Sequence, residues 1–264
     1  LAEREGCALI IGGSRGIGAA VASNLDKLGW RVGFTFHKHA RRAEKFRKSL
    51  SKNCHVFQVD ICDLKSIDQL EQYVATSLGQ IDVLVLSASG GLEWDKSSDY
   101  AFEINVNAQK RLCEKFLPYL VQDGRIVFLT SHEAHFYNQI EPYEPYAPIA
   151  ITKKAGEMAL RQLLPKFAAY GVKLEIVSAD IVEGTATAKL LERNDPAHIA
   201  KHRAQIGQLP DPEDVAKHIV QTCLSDVDNN ANIRTTYVWS PRGRYAGLVN
   251  PCSSPDDVTT NATN

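Results

Sequence analysis

Three groups of residues in this 264-residue chain have types and spacings that could do chemistry. The first is the glycine turn Gly12-Gly13-Ser14-Arg15-Gly16-Ile17-Gly18, which follows the apolar run Cys7–Ile11 and opens an amphipathic stretch, Ala19–Leu28. A strand that ends in small residues and enters a helix leaves backbone N–H groups pointing outward. With the helix dipole they form a pyrophosphate site. In that site Gly12 allows the tight turn, Gly16 the approach of a phosphate, and Gly18 close packing of helix on strand. The second group lies at the end of the next strand, where dinucleotide folds usually carry an acid for the ribose hydroxyls. Here the text is Thr35-Phe36-His37-Lys38-His39, with Arg41 and Arg42 beyond. A carboxylate would repel a 2′-phosphate, whereas Arg15, His37 and Lys38 would pair with one, so these residues predict NADP(H) over NAD(H). The third group, Ser131-His132-Glu133-Ala134-His135, could suggest a metal or acid–base site; on a loop after a strand, these read instead as rim residues, and no metal is expected.

These groups need a scaffold, and the sequence supplies one. Strands are expected over 7–11, 31–36, 55–59, 81–86, 124–130, 172–178 and 235–239. Helices are expected over 19–28, 41–50, 64–78, 100–120, 151–170 and 214–224. Strands that alternate with helices and read as continuous apolar runs predict an α/β fold, a single-domain doubly wound parallel sheet of Rossmann type with helices on both faces. Ligands bind such sheets beyond the carboxyl ends of the strands. Asp60, closing the third strand, is placed to meet the adenine, and Ser87-Ala88-Ser89-Gly90 to let backbone pass close to the ribose. The polar stretch 183–210 interrupts the rhythm.

The composition narrows the class. A formal charge of −1 gives no reason to expect nucleic acid or an anionic membrane as partner. Six scattered cysteines (Cys7, Cys54, Cys62, Cys113, Cys223, Cys252) read as free thiols of a reducing compartment, here taken as cytoplasmic. No apolar run reaches membrane-span length and no basic-then-apolar leader precedes the first strand; a start at Leu1 rather than Met reads as a trimmed terminus. The Asn-x-Thr triplet at Asn261 reads as chance in that compartment.

The motifs in order resemble the short-chain dehydrogenase/reductase family: Gly12-x3-Gly16-Ile17-Gly18, the Asp60 strand end, Asp82-Val83-Leu84-Val85, Asn105-Val106-Asn107-Ala108, Gly124-Arg125-Ile126-Val127 leading to Thr130-Ser131, and Lys153-Lys154-Ala155. They span about residues 5–240, and there are departures. Ile11 replaces a Thr, Leu86-Ser87-Ala88-Ser89 replaces Asn-Asn-Ala-Gly, Ala179-Asp180 replaces Pro-Gly, and Arg234-Thr235-Thr236 replaces a glycine. The family's usual Tyr-x3-Lys is also absent, because Ile149 stands four residues before Lys153. Tyr146 stands seven before it, a Tyr-x6-Lys spacing that resembles the enoyl-acyl carrier protein reductases of the same family.

The resemblance implies roles. Tyr146 would donate to the substrate oxygen, with Tyr143 as the alternative donor. Lys153 would hold the nicotinamide ribose, Ser131 would be a second donor, and Asn105 would hold a water near Lys153 through a local helix break. Ile61 and Val182 join the expected cofactor contacts. Seven helical residues return to nearly the same face, about 10 Å along the axis, so Lys153 can reach back toward Tyr146. Pro148 implies that Tyr146 sits just before the helix.

Residues 1–240 are thus expected to form an NADP(H)-binding reductase domain with a substrate lid near 183–210, followed by a polar, partly disordered tail over 241–264. The lid's Lys189, Arg193, His198, Lys201, His202 and Arg203 would suit a phosphate-bearing carrier, or would form a solvated face. Three activities stay open: reduction of a conjugated C=C in an enoyl thioester or enone, reduction of a C=O with a displaced tyrosine, and NADPH binding without redox turnover. A small-molecule or carrier-bound acyl substrate and a homodimer or homotetramer complete the expectation.

Overall fold

The computed structural model describes residues 5–92, 96, 97, 99–141, 143–225, 231–239 and 245–248. Seven strands lie in one sheet in the order β3-β2-β1-β4-β5-β6-β7, every neighbouring pair parallel. They are β1 (Cys7–Ile11), β2 (Arg31–Phe36), β3 (Cys54–Gln58), β4 (Ile81–Leu86), β5 (Leu120–Ser131), β6 (Lys173–Ala179) and β7 (Ile233–Tyr237). The order reverses between β1 and β4, so a crevice opens beyond their carboxyl ends.

Alternate residues of each strand feed two cores. Leu9, Ile11, Leu84, Leu86, Ile126, Phe128, Leu174 and Ile176 pack with α3 (Leu64–Ser77), α5 (Ala108–Phe116), Leu160 of α7 (Ala147–Arg161) and Phe167 of α8 (Leu164–Ala169). Ala8, Ile10, Val83, Val85, Val127 and Val177 face the other way, against α1 (Gly16–Lys27) and α11 (Pro212–Leu224). A sheet covered on both faces needs apolar side chains at every position, and for that reason its strands read as unbroken apolar runs.

Two expected long helices are interrupted. The run expected over 100–120 consists of α4 (Tyr100–Phe102), a π-turn (Glu103–Asn107), α5 and a 3₁₀ turn (Leu117–Tyr119) that contains Pro118. β5 begins at Leu120 in consequence, four residues before the expected start. The helix expected over 151–170 starts at Ala147, with Pro148 in its first turn, and ends at Arg161; Pro165 opens the separate helix α8. The stretch 183–210 contains α9 (Ala186–Asn194) and α10 (Pro196–Ile206). The remaining helices are α2 (Ala40–Arg47) and the four-residue α6 (His132–His135). Of the expected polar tail, Tyr245 is buried, and the part from Ser253 onward lies outside the described residues.

Candidate active site

A cleft of about 920 Å³ lies at the carboxyl ends of the strands and runs from the glycine turn to α9 and α10. Gly12 takes a positive φ of 84°, and a Cβ there would lie 2.9 Å from the Ala88 backbone nitrogen. Gly16, also at positive φ, has no heavy atom within 4 Å of where its Cβ would sit, which leaves room for a ligand. Gly18 faces inward, where a Cβ would come 2.6 Å from the Gly12 carbonyl oxygen, so it sets helix packing and does not line the cleft. No side chain caps the N-terminus of α1, and no acid stands in its first turn. Ser14, Arg15, Gly16 and Ile17 line the cleft at that point.

Beyond β2 and β3 the lining includes His37, Lys38, His39, Arg42, Asp60 and Ile61. The Asp60 carboxylate is engaged internally, with His37 Nε2 at 3.3 Å and the Cys62 N–H at 3.0 Å. Arg42, which follows the three residues expected to pair with a 2′-phosphate, lines the cleft near Arg15. Partial burial, and then the Arg15 charge, push its pKa down. Arg15 and Arg42 thus set two positive charges on the same part of the cleft wall. Ser87, Ala88 and Ser89 line the floor beside β1, where the Ser87 N–H donates to the Ile11 carbonyl at 3.0 Å.

At the other end, β5 delivers Ser131, whose Oγ accepts the Ala134 N–H at 3.2 Å and so caps α6. The Tyr146 hydroxyl donates to the same Oγ at 3.3 Å. Tyr146 closes the 3₁₀ turn Glu144–Tyr146 immediately before α7, where Pro148 had placed it. Burial pushes its pKa up to about 12; the Ser131 hydrogen bond works against the rise and the Glu133 charge adds to it. Lys153, two turns along α7, is buried on the same cleft, and burial lowers its pKa to about 8. No carboxylate or other acceptor among the described residues meets its ammonium group. Tyr143 is oriented differently: its hydroxyl donates to Asp195 Oδ2 at 3.2 Å, and its ring stacks on His198 with centroids 3.7 Å apart. Of the two phenols, only Tyr146 bonds to Ser131. Ile149 lines the cleft as an apolar wall, and Val182 lines it beyond β6.

Asn105 stands behind this surface, in the π-turn, and does not line the cleft. Its Nδ2 donates to the Gly90 carbonyl at 2.8 Å and to Thr152 Oγ1 at 3.0 Å, while its Oδ1 accepts the Gly90 N–H at 3.3 Å. The amide therefore ties the loop after β4 to α7, and its own carbonyl faces Gly156 so closely that a Cβ there would lie 2.1 Å away.

The rim reading of residues 132–135 does not hold, because α6 turns inward from its Ser131 cap. His132 is buried, bonds Ser178 Oγ at 2.8 Å, and has its pKa lowered to about 4, chiefly by burial. Glu133 is buried and accepts the Tyr143 N–H and the Tyr245 hydroxyl. His135 meets Glu157 at 2.9 Å. Half of the basic lid set is likewise engaged: His202 pairs with Asp180 at 2.9 Å, Arg203 with Glu183 and Glu192 at 2.7 Å each, and His198 with the Tyr143 ring.

A family model described as enoyl-(acyl carrier protein) reductase matches residues 11–230. The chain belongs to the short-chain dehydrogenase/reductase family of oxidoreductases. Among its relatives, an uncharacterized oxidoreductase of Staphylococcus epidermidis is 27% identical over 193 residues, covering 70% of this chain and 81% of that one. The 1-cyclohexenylcarbonyl-CoA reductase of Streptomyces collinus is 25% identical over 191 residues, covering 69% and 66%. Among solved structures, BdcA in complex with NADPH aligns at TM-score 0.70 and 19% identity over 92% of this chain and 97% of its own. A Burkholderia cenocepacia short-chain dehydrogenase in complex with NADP aligns at 0.71 and 23% over 87% and 94%. These likenesses are of fold.

Proposed function

We propose that this family member is an NADP(H)-dependent reductase of the conjugated C=C bond in an enoyl thioester or related enone. The observation that carries the reading is the Tyr146 hydroxyl on Ser131, with Lys153 on the same cleft wall. The cofactor fits the groups present. Gly16 leaves open space for a pyrophosphate at the uncapped N-terminus of α1, and Arg15 with Arg42 form a cradle for a 2′-phosphate. Ser87–Ser89 would flank the ribose, and Val182 and Lys153 border the far end, where the Lys153 ammonium would hold the ribose hydroxyls. When bound, NADPH supplies the hydride.

Hydride arrival at the β-carbon of an α,β-unsaturated carbonyl pushes an electron pair toward the carbonyl oxygen, and the α-carbon then takes a proton from solvent. With substrate bound, Tyr146 would turn its single O–H from Ser131 Oγ to that oxygen, donating a hydrogen bond that strengthens as charge develops, and the Ser131 hydroxyl would then donate beside it. Asn105 serves as a positioning residue: it fixes the Gly90 loop against α7 without touching the reacting atoms.

Purified protein is to be mixed with NADPH and crotonyl or acetoacetyl N-acetylcysteamine thioester while the reduced-nicotinamide absorbance is followed. Loss of absorbance with the crotonyl ester and not the acetoacetyl ester is expected. The reverse pattern would reassign the enzyme as a ketoreductase, and tight NADPH binding with neither substrate consumed would make it a non-redox binder. Exposed Phe102, Ile151 and Met158 on α4 and α7 support a homodimer or homotetramer through these helices, which sedimentation velocity reads directly. Among the described residues no helix is long and apolar enough to cross a membrane.

A further inference from the structure

We propose that Tyr245 is the end wall of the substrate pocket, a specificity-determining residue that restricts turnover to substrates with a compact acyl or ring portion. The inference rests on the reading of the cleft as a reductase site. Tyr245 lines the same cleft as Ser131 and Tyr146 yet is only 3% exposed. It enters from the C-terminal side, far in sequence from every other group there. Its hydroxyl donates to Glu133 Oε2 at 2.7 Å, and the other oxygen of that carboxylate accepts the Tyr143 N–H. One buried carboxylate thus joins the C-terminal segment to the loop that leads into Tyr146.

The ring is also fixed on its sides. His132 stands edge-on at 5.3 Å, Phe136 stacks at 6.2 Å and His202 stands edge-on at 6.4 Å. His202 is itself held by Asp180 at 2.9 Å. A phenol bonded at its tip to a buried carboxylate and flanked by three rings does not swing aside for a longer substituent. It limits length as a rigid wall does. Two of the lid cations, Arg203 and His202, are committed to carboxylates. At this end of the cleft, selection acts on the shape of the reacting portion.

The test uses the full chain with NADPH and the trans-2-enoyl N-acetylcysteamine thioesters of four and ten carbons. It compares wild type with Tyr245→Ala, Tyr245→Trp and Tyr245→Phe. Tyr245→Ala is expected to raise the ten-to-four-carbon ratio of kcat/KM by at least about tenfold, a scale that several methylenes in an apolar pocket can supply. Tyr245→Phe keeps the ring and is expected to hold the ratio within about threefold of wild type, while Tyr245→Trp lowers it. A ratio unchanged in both the Ala and Trp variants overturns the proposal, since a merely structural residue would depress both substrates alike. If the Ala variant does not fold, the Trp variant decides alone. Should wild type consume no NADPH with either ester, the assigned activity fails. The wall is then read from binding of butanoyl and decanoyl N-acetylcysteamine to the NADP-loaded protein, where the same ratio shift supports it and no shift overturns it.

Discussion

At the residue scale the cleft distinguishes two phenols that lie three positions apart. Tyr146 meets Ser131, and Tyr143 meets Asp195 and His198. Tyr146→Phe is therefore expected to cut kcat by about a hundredfold, the scale of a lost oxyanion donor, with the NADPH dissociation constant unchanged by fluorescence titration. Tyr143→Phe loosens the lid and is expected to act mainly on KM. Lys153 makes a pH prediction. With its pKa lowered to about 8, the ammonium form needed at the ribose disappears as pH rises through that value, so NADPH affinity falls there. The stability effect has the opposite sign. Between about 8 and the ordinary lysine value near 10.4 the unfolded chain binds the extra proton, so the contribution of Lys153 to stability rises with pH across that window. Lys153→Met is expected to stabilise the apo-protein in urea melts below pH 8 and to lose that advantage toward pH 10. The seven-residue spacing of Tyr146 and Lys153 could be read from the sequence, and their pairing from the family resemblance; the structure sets both on one cleft, with Tyr146 just before α7. The places of Glu133 and Tyr245 could not be read, because they depend on the inward turn of α6 and on a tyrosine in a polar tail with no periodic pattern to betray its burial.

At the element scale the strands could be read because each is covered on both faces, and five of the seven began within one residue of the expected position. The helix ends were harder. Proline at 118 and 165 and the π-turn cut runs whose apolar spacing continued unbroken. The π-turn matters for the site because it brings the Asn105 amide to Gly90 and Thr152 and presses the Asn105 carbonyl on Gly156. Gly156→Ala puts a methyl group into a backbone oxygen and is expected to cost about 1–3 kcal/mol in denaturant unfolding, the range for overpacking. Asn105→Ala leaves the cleft lining intact but frees the Gly90 loop, and a several-fold rise in the NADPH dissociation constant checks it by titration.

Across the whole molecule, charge is nearly balanced at −1, yet cations gather at one end of the cleft. Replacing both Arg15 and Arg42 by Ala is expected to reduce the preference for NADPH over NADH by about a hundredfold or more, in line with two charge-assisted pairs worth about 1.5–3 kcal/mol each. Competition titration of the two cofactors measures it. The strand order carries a further consequence, for biosynthesis. β1 emerges first, but one of its two neighbours, β4, pairs Ala8 with Val83, and the Cys7 N–H donates to the Asp82 carboxylate at 2.7 Å. During translation the five apolar residues Cys7–Ile11 must therefore wait, with one hydrogen-bonding edge bare, until more than seventy further residues have left the ribosome. Over that interval the bare apolar strand is prone to aggregate.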